Sequence, residues 1–196
     1  MTSVASSEAA VATVGAMTPP PDRPPLPDGI VVVVKRECET CRTVTPVLRQ
    51  LVDAGPLTVY SQDDPTVPGD PAAVPDGDLS VSWHHEIETV PTVIRVSDGV
   101  EVERTVGWHR DEWERVTGVS GLGPDLPPMR PGCGSMSVDP DLVDALAVRF
   151  GGTVLASRRI EVADAEDEIE MMFTRGWSDG LPVVPPTEER VMRMLN

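Results

Sequence analysis

Ile30-Val31-Val32-Val33-Val34, five consecutive β-branched residues behind Gly29, constrains this chain more than any other feature. Branching at Cβ stiffens χ1 and favours the extended backbone. The run is continuous rather than alternating, so it predicts a strand over 29–34 buried on both faces. A strand of that kind needs layers on both sides of its sheet, and helices are the usual cover. The run is also the longest apolar stretch in the chain, far short of the ~18–20 residues that cross a membrane as a helix.

The rest of the pattern supplies the layers. Val44, Val47, Leu48, Leu51 and Val52 recur at helical spacing, and Ala54-Gly55-Pro56 ends the segment. Leu57 to Ser61 reads as a second strand. Asp63 to Asp78 is dense in Asp, Pro and Gly and reads as a long loop, and Ser80 to Glu88 as a short helix. Val90 to Val96 and Val100 to Val106 read as strands joined by the hairpin signal Asp98-Gly99. Arg110 to Thr117 closes the segment as a helix with Trp113 and Val116 on one face. The fold class expected over residues 28–118 is α/β, with strands and helices interleaved along the chain.

Outside that span the composition changes. Residues 1–27 are rich in Ala, Ser, Thr and Pro and are expected to be a disordered, Pro-rich tail. Residues 119–134 read as a Gly/Pro-rich linker, and 135–196 as the start of a second, incomplete, small α/β or mostly helical segment. There, Asp139 to Phe150 is expected to be a helix with Asp139 as N-cap and Pro140 at its first position. Val154 to Val162 is expected to be a strand. Asp164 to Arg175 is expected to be a helix with Ile169, Met172 and Phe173 inward, followed by a loop and a last helix capped by Thr187.

The net charge of −16 argues against nucleic acid or an anionic membrane as partner, since both repel an acidic surface. The N-terminus lacks the basic start of a secretory signal, and the expected location is cytoplasmic. Three cysteines are too few for a disulfide scaffold. Two form Cys38-Glu39-Thr40-Cys41, placed between the buried strand and the first helix. A thiol at a helix N-terminus is biased towards the thiolate, the nucleophilic form. Glu37 and Glu39 oppose that bias, and Lys35, Arg36 and Arg42 support it; acidic residues flanking Cys38 are expected to disfavour the thiolate. A zinc site needs four ligands; Cys133, His84, His85 and His109 could supply the rest, but with neither a second CxxC nor an H-x₃-H spacing, so neither metal nor other cofactor is expected.

With these motifs in place, residues 28–118 resemble the thioredoxin family. The resemblance rests on the CxxC between strand and helix, Pro46 five residues beyond Cys41, Thr89-Val90-Pro91-Thr92, the hairpin Ser97-Asp98-Gly99-Val100, and Val106-Gly107-Trp108 before the last helix. It implies a thioredoxin-like fold, a central mixed sheet flanked by helices, with a helix kinked at Pro46 and a cis Pro91 that flanks the pair and blocks metal capture. It also implies a Val90 backbone that pairs with an extended substrate and a Trp108 near the substrate surface. Two departures stand out. Glu37, Glu39 and Thr40 replace the Trp and Gly-Pro usual there, and Val32 occupies the place of a buried acid. Glu39, water, His84 or His85 are then the candidate bases for Cys41.

The activity implied is thiol–disulfide exchange. Cys38 attacks a disulfide and Cys41 resolves the mixed disulfide, with a protein disulfide as partner and an upstream reductant. The alternative is a non-catalytic interaction domain on the same fold. Cys133, in Pro131-Gly132-Cys133-Gly134-Ser135, is a candidate additional redox thiol served by the pair within the same chain. Its Cys-Gly-Ser is loosely similar to the element of UGSC-type (seleno)proteins, with Met136 where those have a final Cys. Asp179 to Thr187 is similar to a loop that precedes further sequence in such proteins, and implies a fragment or a shortened relative.

Overall fold

The computed structural model describes residues 23–151, 155, 167–181 and 183–195. The chain divides into two compact units, Pro21–Gly152 and a second made of Met1–Pro20 with Thr153–Asn196, of which the described residues are C-terminal. The first is mixed α/β. Its elements are β1 (Gly29–Val34), α1 (Glu39–Thr43), α2 (Thr45–Ala54), β2 (Leu57–Ser61), β3 (Val74–Pro75), α3 (Ser80–His84), β4 (Thr89–Val90), β5 (Thr92–Ser97), β6 (Val100–Val106), β7 (Trp108–His109), α4 (Arg110–Thr117), β8 (Met129–Arg130), β9 (Cys133–Gly134) and α5 (Val143–Arg149).

Five strands form one sheet in the order β3-β2-β1-β5-β6. β1 is central, parallel to β2 and antiparallel to β5. The β-branched run therefore lies where its sequence requires. Val32 sits between Val59 and Val93, and Val31, Val32 and Val33 are fully buried. Each such valine contributes about 1.5–3 kcal/mol of burial. Trp113 and Val116 of α4 are fully buried against this core, as their spacing requires. The turn Asp98-Gly99 has positive φ at both residues (53° and 72°), the geometry a two-residue hairpin favours.

Two expected elements are divided by proline. The helix after the cysteines breaks at Val44, and Pro46, which has no amide to donate, begins α2 instead of continuing α1. The expected strand from Val90 becomes β4 and β5, separated at the cis Val90–Pro91 bond.

The boundaries differ from those expected. Residues 23–27 are not a free tail: Leu26 is buried in the main core, and the Pro24 carbonyl meets the His85 ring at 2.8 Å. Residues 119–134 are not a loose linker but a strap laid across the unit. Leu122 is buried in the core, and Arg110 gathers the carbonyls of Leu122 (3.0 Å) and Gly123 (2.8 Å) with its guanidinium and that of Pro128 (2.9 Å) with its amide. Glu114 accepts the amides of Gly121 and Leu122. These side chains satisfy backbone groups that no sheet or helix ladder reaches.

Nor do residues 135–151 belong to a separate segment. Leu146 and Phe150 of α5 join Leu79 in a small second core, with Trp83, Met136 and Leu142 at its edge. The helix starts at Val143, not at Asp139. Asp139 folds its carboxylate onto the Asp141 amide (2.8 Å), a local turn that competes with helix.

In the C-terminal unit, Asp167 caps α6 (Glu168–Thr174), accepting the amides of Ile169 and Glu170. Of the three residues expected inward, Ile169 and Phe173, one turn apart, are exposed and Met172 is half-buried, while Met171 is the buried residue. Thr187 caps α7 (Glu188–Leu195), as expected, receiving the Arg190 amide. The expected strand over 154–162 and the tail up to residue 22 lie outside the described residues, apart from Leu155. No helix among the described residues is long and apolar enough to cross a membrane.

Leu122→Ala tests the strap. A buried leucine truncated to alanine costs about 2–5 kcal/mol, whereas a leucine in a loose linker costs less than about 0.5 kcal/mol. Urea unfolding of the variant is expected to fall in the first range.

Candidate functional site

The CxxC lies where the central strand gives way to a helix. β1 ends at Val34, and Cys38 is the N-cap of α1, with φ −117° and ψ 116°. This turns its sulfur inward, where the Cys41 amide donates to it at 3.3 Å. Cys38 is fully buried, Cys41 is 2% exposed, and Cys133 is only half-buried. The Cys38 sulfur lies 3.4 Å from the Val90 carbonyl, on the far side of the cleft beside cis Pro91.

The sequence does not foretell what fills that cleft. β9 pairs antiparallel with β4, setting Cys133 opposite Val90 and Gly134 opposite Thr89. The strap thus lies on the β4 edge as an added strand, the way extended peptides are bound elsewhere. Four further contacts hold it. Thr40, between the cysteines, donates its hydroxyl to the Pro131 carbonyl (2.7 Å), and Lys35 reaches the Gly134 carbonyl (2.6 Å). The Ser135 amide donates to the Glu88 carbonyl (2.9 Å), and Arg130 pairs with Glu39 (2.6 Å).

Below Cys133 the strap is anchored by a buried polar network. Gln62, 1% exposed, donates to Ser82 (2.7 Å) and Ser135 (2.6 Å) and accepts the Met136 amide (3.1 Å). Ser82 in turn donates to Asp76 (2.6 Å), which also caps the first turn of α3, and Ser137 donates to the Ile87 carbonyl (2.5 Å). A fully satisfied buried network specifies one arrangement, because each broken link strands a buried polar group.

The fit leaves no room for a side chain before Cys133. A Cβ on Gly132 would stand 2.4 Å from Thr89 Cγ2 and 2.8 Å from the Val90 carbonyl oxygen. A Cβ on Gly107, which has φ +68°, would likewise stand 2.8 Å from the Gly132 amide nitrogen.

The three sulfurs interact. The Cys38 thiol is lowered from 9.0 to about 5, chiefly by a hydrogen bond from the Cys41 thiol. Burial opposes this, while a hydrogen bond from Cys133 and the amides of Cys41 and Thr40 assist it. Burial and the charge on Cys38 push Cys41 far up. Cys133 is also raised, by burial and by Cys38, with the amides of Thr40 and Glu39 at its sulfur opposing. The cluster carries one negative charge, on Cys38, and two thiols that donate to it. The expectation that acidic neighbours disfavour the thiolate is therefore reversed: Glu37 is exposed, Glu39 is turned to Arg130, and the local donors prevail.

Other candidates sit elsewhere. Trp108 is buried, edge-on to Trp113 (5.1 Å), with its indole N–H on the Pro127 carbonyl (2.6 Å). It holds the strap rather than lining an open surface. His85 is held between Arg23 and the Pro24 carbonyl, and His84 stands edge-on to Phe150, so neither serves Cys41 as a base. Glu39 is likewise committed to Arg130. Among the described residues no group of three or more His, Cys, Asp or Glu side chains is placed to hold a metal ion. Arg130 and Gln62 belong to the site without any motif that announces them, whereas Thr40, Lys35 and Gly132 lie in the two cysteine segments that the sequence singles out. Comparison with known proteins finds no matching family model and no matching curated protein.

Two outcomes follow. The ultraviolet absorbance of the thiolate should titrate with a midpoint at about 5 and vanish in Cys38→Ser. Gly132→Ala should lift the strap and speed native-state alkylation of Cys38 by about tenfold or more, since local opening governs access to a buried group.

Proposed function

We propose that the Pro21–Gly152 unit is a thioredoxin-like domain that performs thiol–disulfide exchange through Cys38 and Cys41. One observation carries the reading: Cys38 is the N-cap of α1, where its sulfur accepts the Cys41 amide at 3.3 Å beside Pro91, with Cys41 one turn further on. The mixed sheet with helices around it, and the strand-to-helix position of the pair, support the same reading.

Cys38 is the attacking thiolate. Cys41, whose own thiol is kept protonated while Cys38 carries the charge, loses its proton once Cys38 is bonded to another sulfur. Cys41 then attacks Cys38 and releases the reduced partner. The partner is a disulfide in another protein or an oxidised thiol in this chain, and an upstream dithiol restores the pair. Such a cycle suits a reducing compartment.

The alternative, a thioredoxin-fold interaction domain without turnover, is favoured by the complete burial of Cys38. A disulfide-reduction assay with a dithiol as electron source separates the two. Wild-type turnover that is lost in Cys38→Ser, with Cys41→Ser stalling as a covalent adduct, supports exchange. Absence of a Cys38–Cys41 disulfide under any oxidising condition supports the alternative.

A further inference from the structure

Resting on that reading, we infer that the substrate of the Cys38–Cys41 pair is Cys133 of the same chain, delivered by a strap that occupies the cleft as a built-in substrate strand.

Three observations converge. Cys133 lies opposite Val90 in strand register, the position in which an extended polypeptide presents a sulfur to Cys38. The strap is docked by dedicated contacts on both sides of it, from Arg130, Thr40, Lys35, Gln62 and the Glu88 carbonyl. The residue before it is a glycine whose absent side chain is what allows the approach. With the strap in place, a second polypeptide finds the β4 edge already paired. Cys133 is also the one cysteine of the three that is not fully covered, being half-buried where Cys38 and Cys41 are buried. Whatever oxidises it is therefore small, and the class assigned here is a low-molecular-weight disulfide, RSSR.

The steps balance as follows. Cys133 attacks RSSR as its proton passes through solvent to the leaving sulfur. The S–S bond breaks, RSH leaves, and Cys133–S–S–R remains, with Cys38 still a thiolate. The Cys38 thiolate attacks the Cys133 sulfur, and the second RS⁻ leaves and takes the proton of Cys41. Cys41 attacks Cys38, the Cys38–Cys133 bond breaks, and Cys133 departs as a thiolate facing the amides of Thr40 and Glu39. It then takes a proton from water. RSSR has become two RSH, and the pair has become a disulfide that an external dithiol reduces.

The full reduced chain is mixed with one equivalent of dithio-bis-nitrobenzoate, a chromogenic small disulfide, and coloured thiolate release is followed. Wild type is expected to release both halves and finish with a Cys38–Cys41 disulfide and Cys133 free. Cys41→Ser should stop at a Cys38–Cys133 disulfide, located by peptide mass mapping. Cys38→Ser should stop after one release with the probe on Cys133. Cys133→Ser should slow the first release by about tenfold or more, because the remaining thiols are covered until the strap opens. If Cys133→Ser reaches the Cys38–Cys41 disulfide at the wild-type rate, the assignment of Cys133 fails while the exchange reading stands. If Cys41→Ser keeps the probe on Cys38 with Cys133 free, the assignment fails as well. If neither the wild-type chain nor Cys133→Ser forms a Cys38–Cys41 disulfide, the exchange reading itself fails.

Discussion

The antiparallel pairing of Cys133 with Val90 is the contact on which the rest of the site depends. It needs a strand end that projects beyond the sheet, a glycine at Gly132 so that two backbones meet, and a polar anchor at Gln62 that fixes the register. It also explains the burial of Cys38, because an attacking thiol lies at a surface unless something covers it, and here the cover is the chain itself. The strap's position in turn requires the whole path from Gly118 onward to be held. Arg110, Glu114 and Trp108, which have no part in thiol chemistry, provide that hold through carbonyls and amides.

The electrostatics of the cluster follow from the same closeness. Three thiols in a largely dry site cannot each ionise, since a second negative charge at that distance is costly. One charge settles on Cys38, where the amides of the first helical turn and two S–H donors converge. The flanking glutamates, which on a bare sequence look decisive, act through solvent or are neutralised by Arg130 and count for less. Cys38 therefore acts as an ionised thiol although both residues beside it are acidic. In the proposed cycle, Cys133 would depart from a mixed disulfide into a position that already holds two amides.

The central sheet was legible because its signals are local. Five β-branched residues, a helix-spaced set of Val and Leu, and Asp98-Gly99 each specify one element, and Pro46 and Pro91 mark where the elements break. Cys38 and Cys41 were legible for the same reason. The strap was not. Its prolines and glycines predict an irregular path, and composition does not distinguish an irregular path that is loose from one pinned by distant side chains. Arg110, Gln50 and Gln62 make those pins across separations that no periodicity reports. The extension of the unit to α5 was hidden likewise, since Leu146 and Phe150 find Leu79 only once both are folded. Cys133 was visible as a thiol between glycines. Its place opposite Val90 is a tertiary fact.

The most direct test of the cis-substrate account is the order in which disulfides appear in the unmodified chain. Reduced wild-type protein is exposed to a small disulfide, quenched with acid at successive times, and its cross-linked peptides are mapped by mass. The account predicts that Cys38–Cys133 rises first and then decays as Cys38–Cys41 accumulates. Appearance of Cys38–Cys41 at all times with no prior Cys38–Cys133 would contradict it.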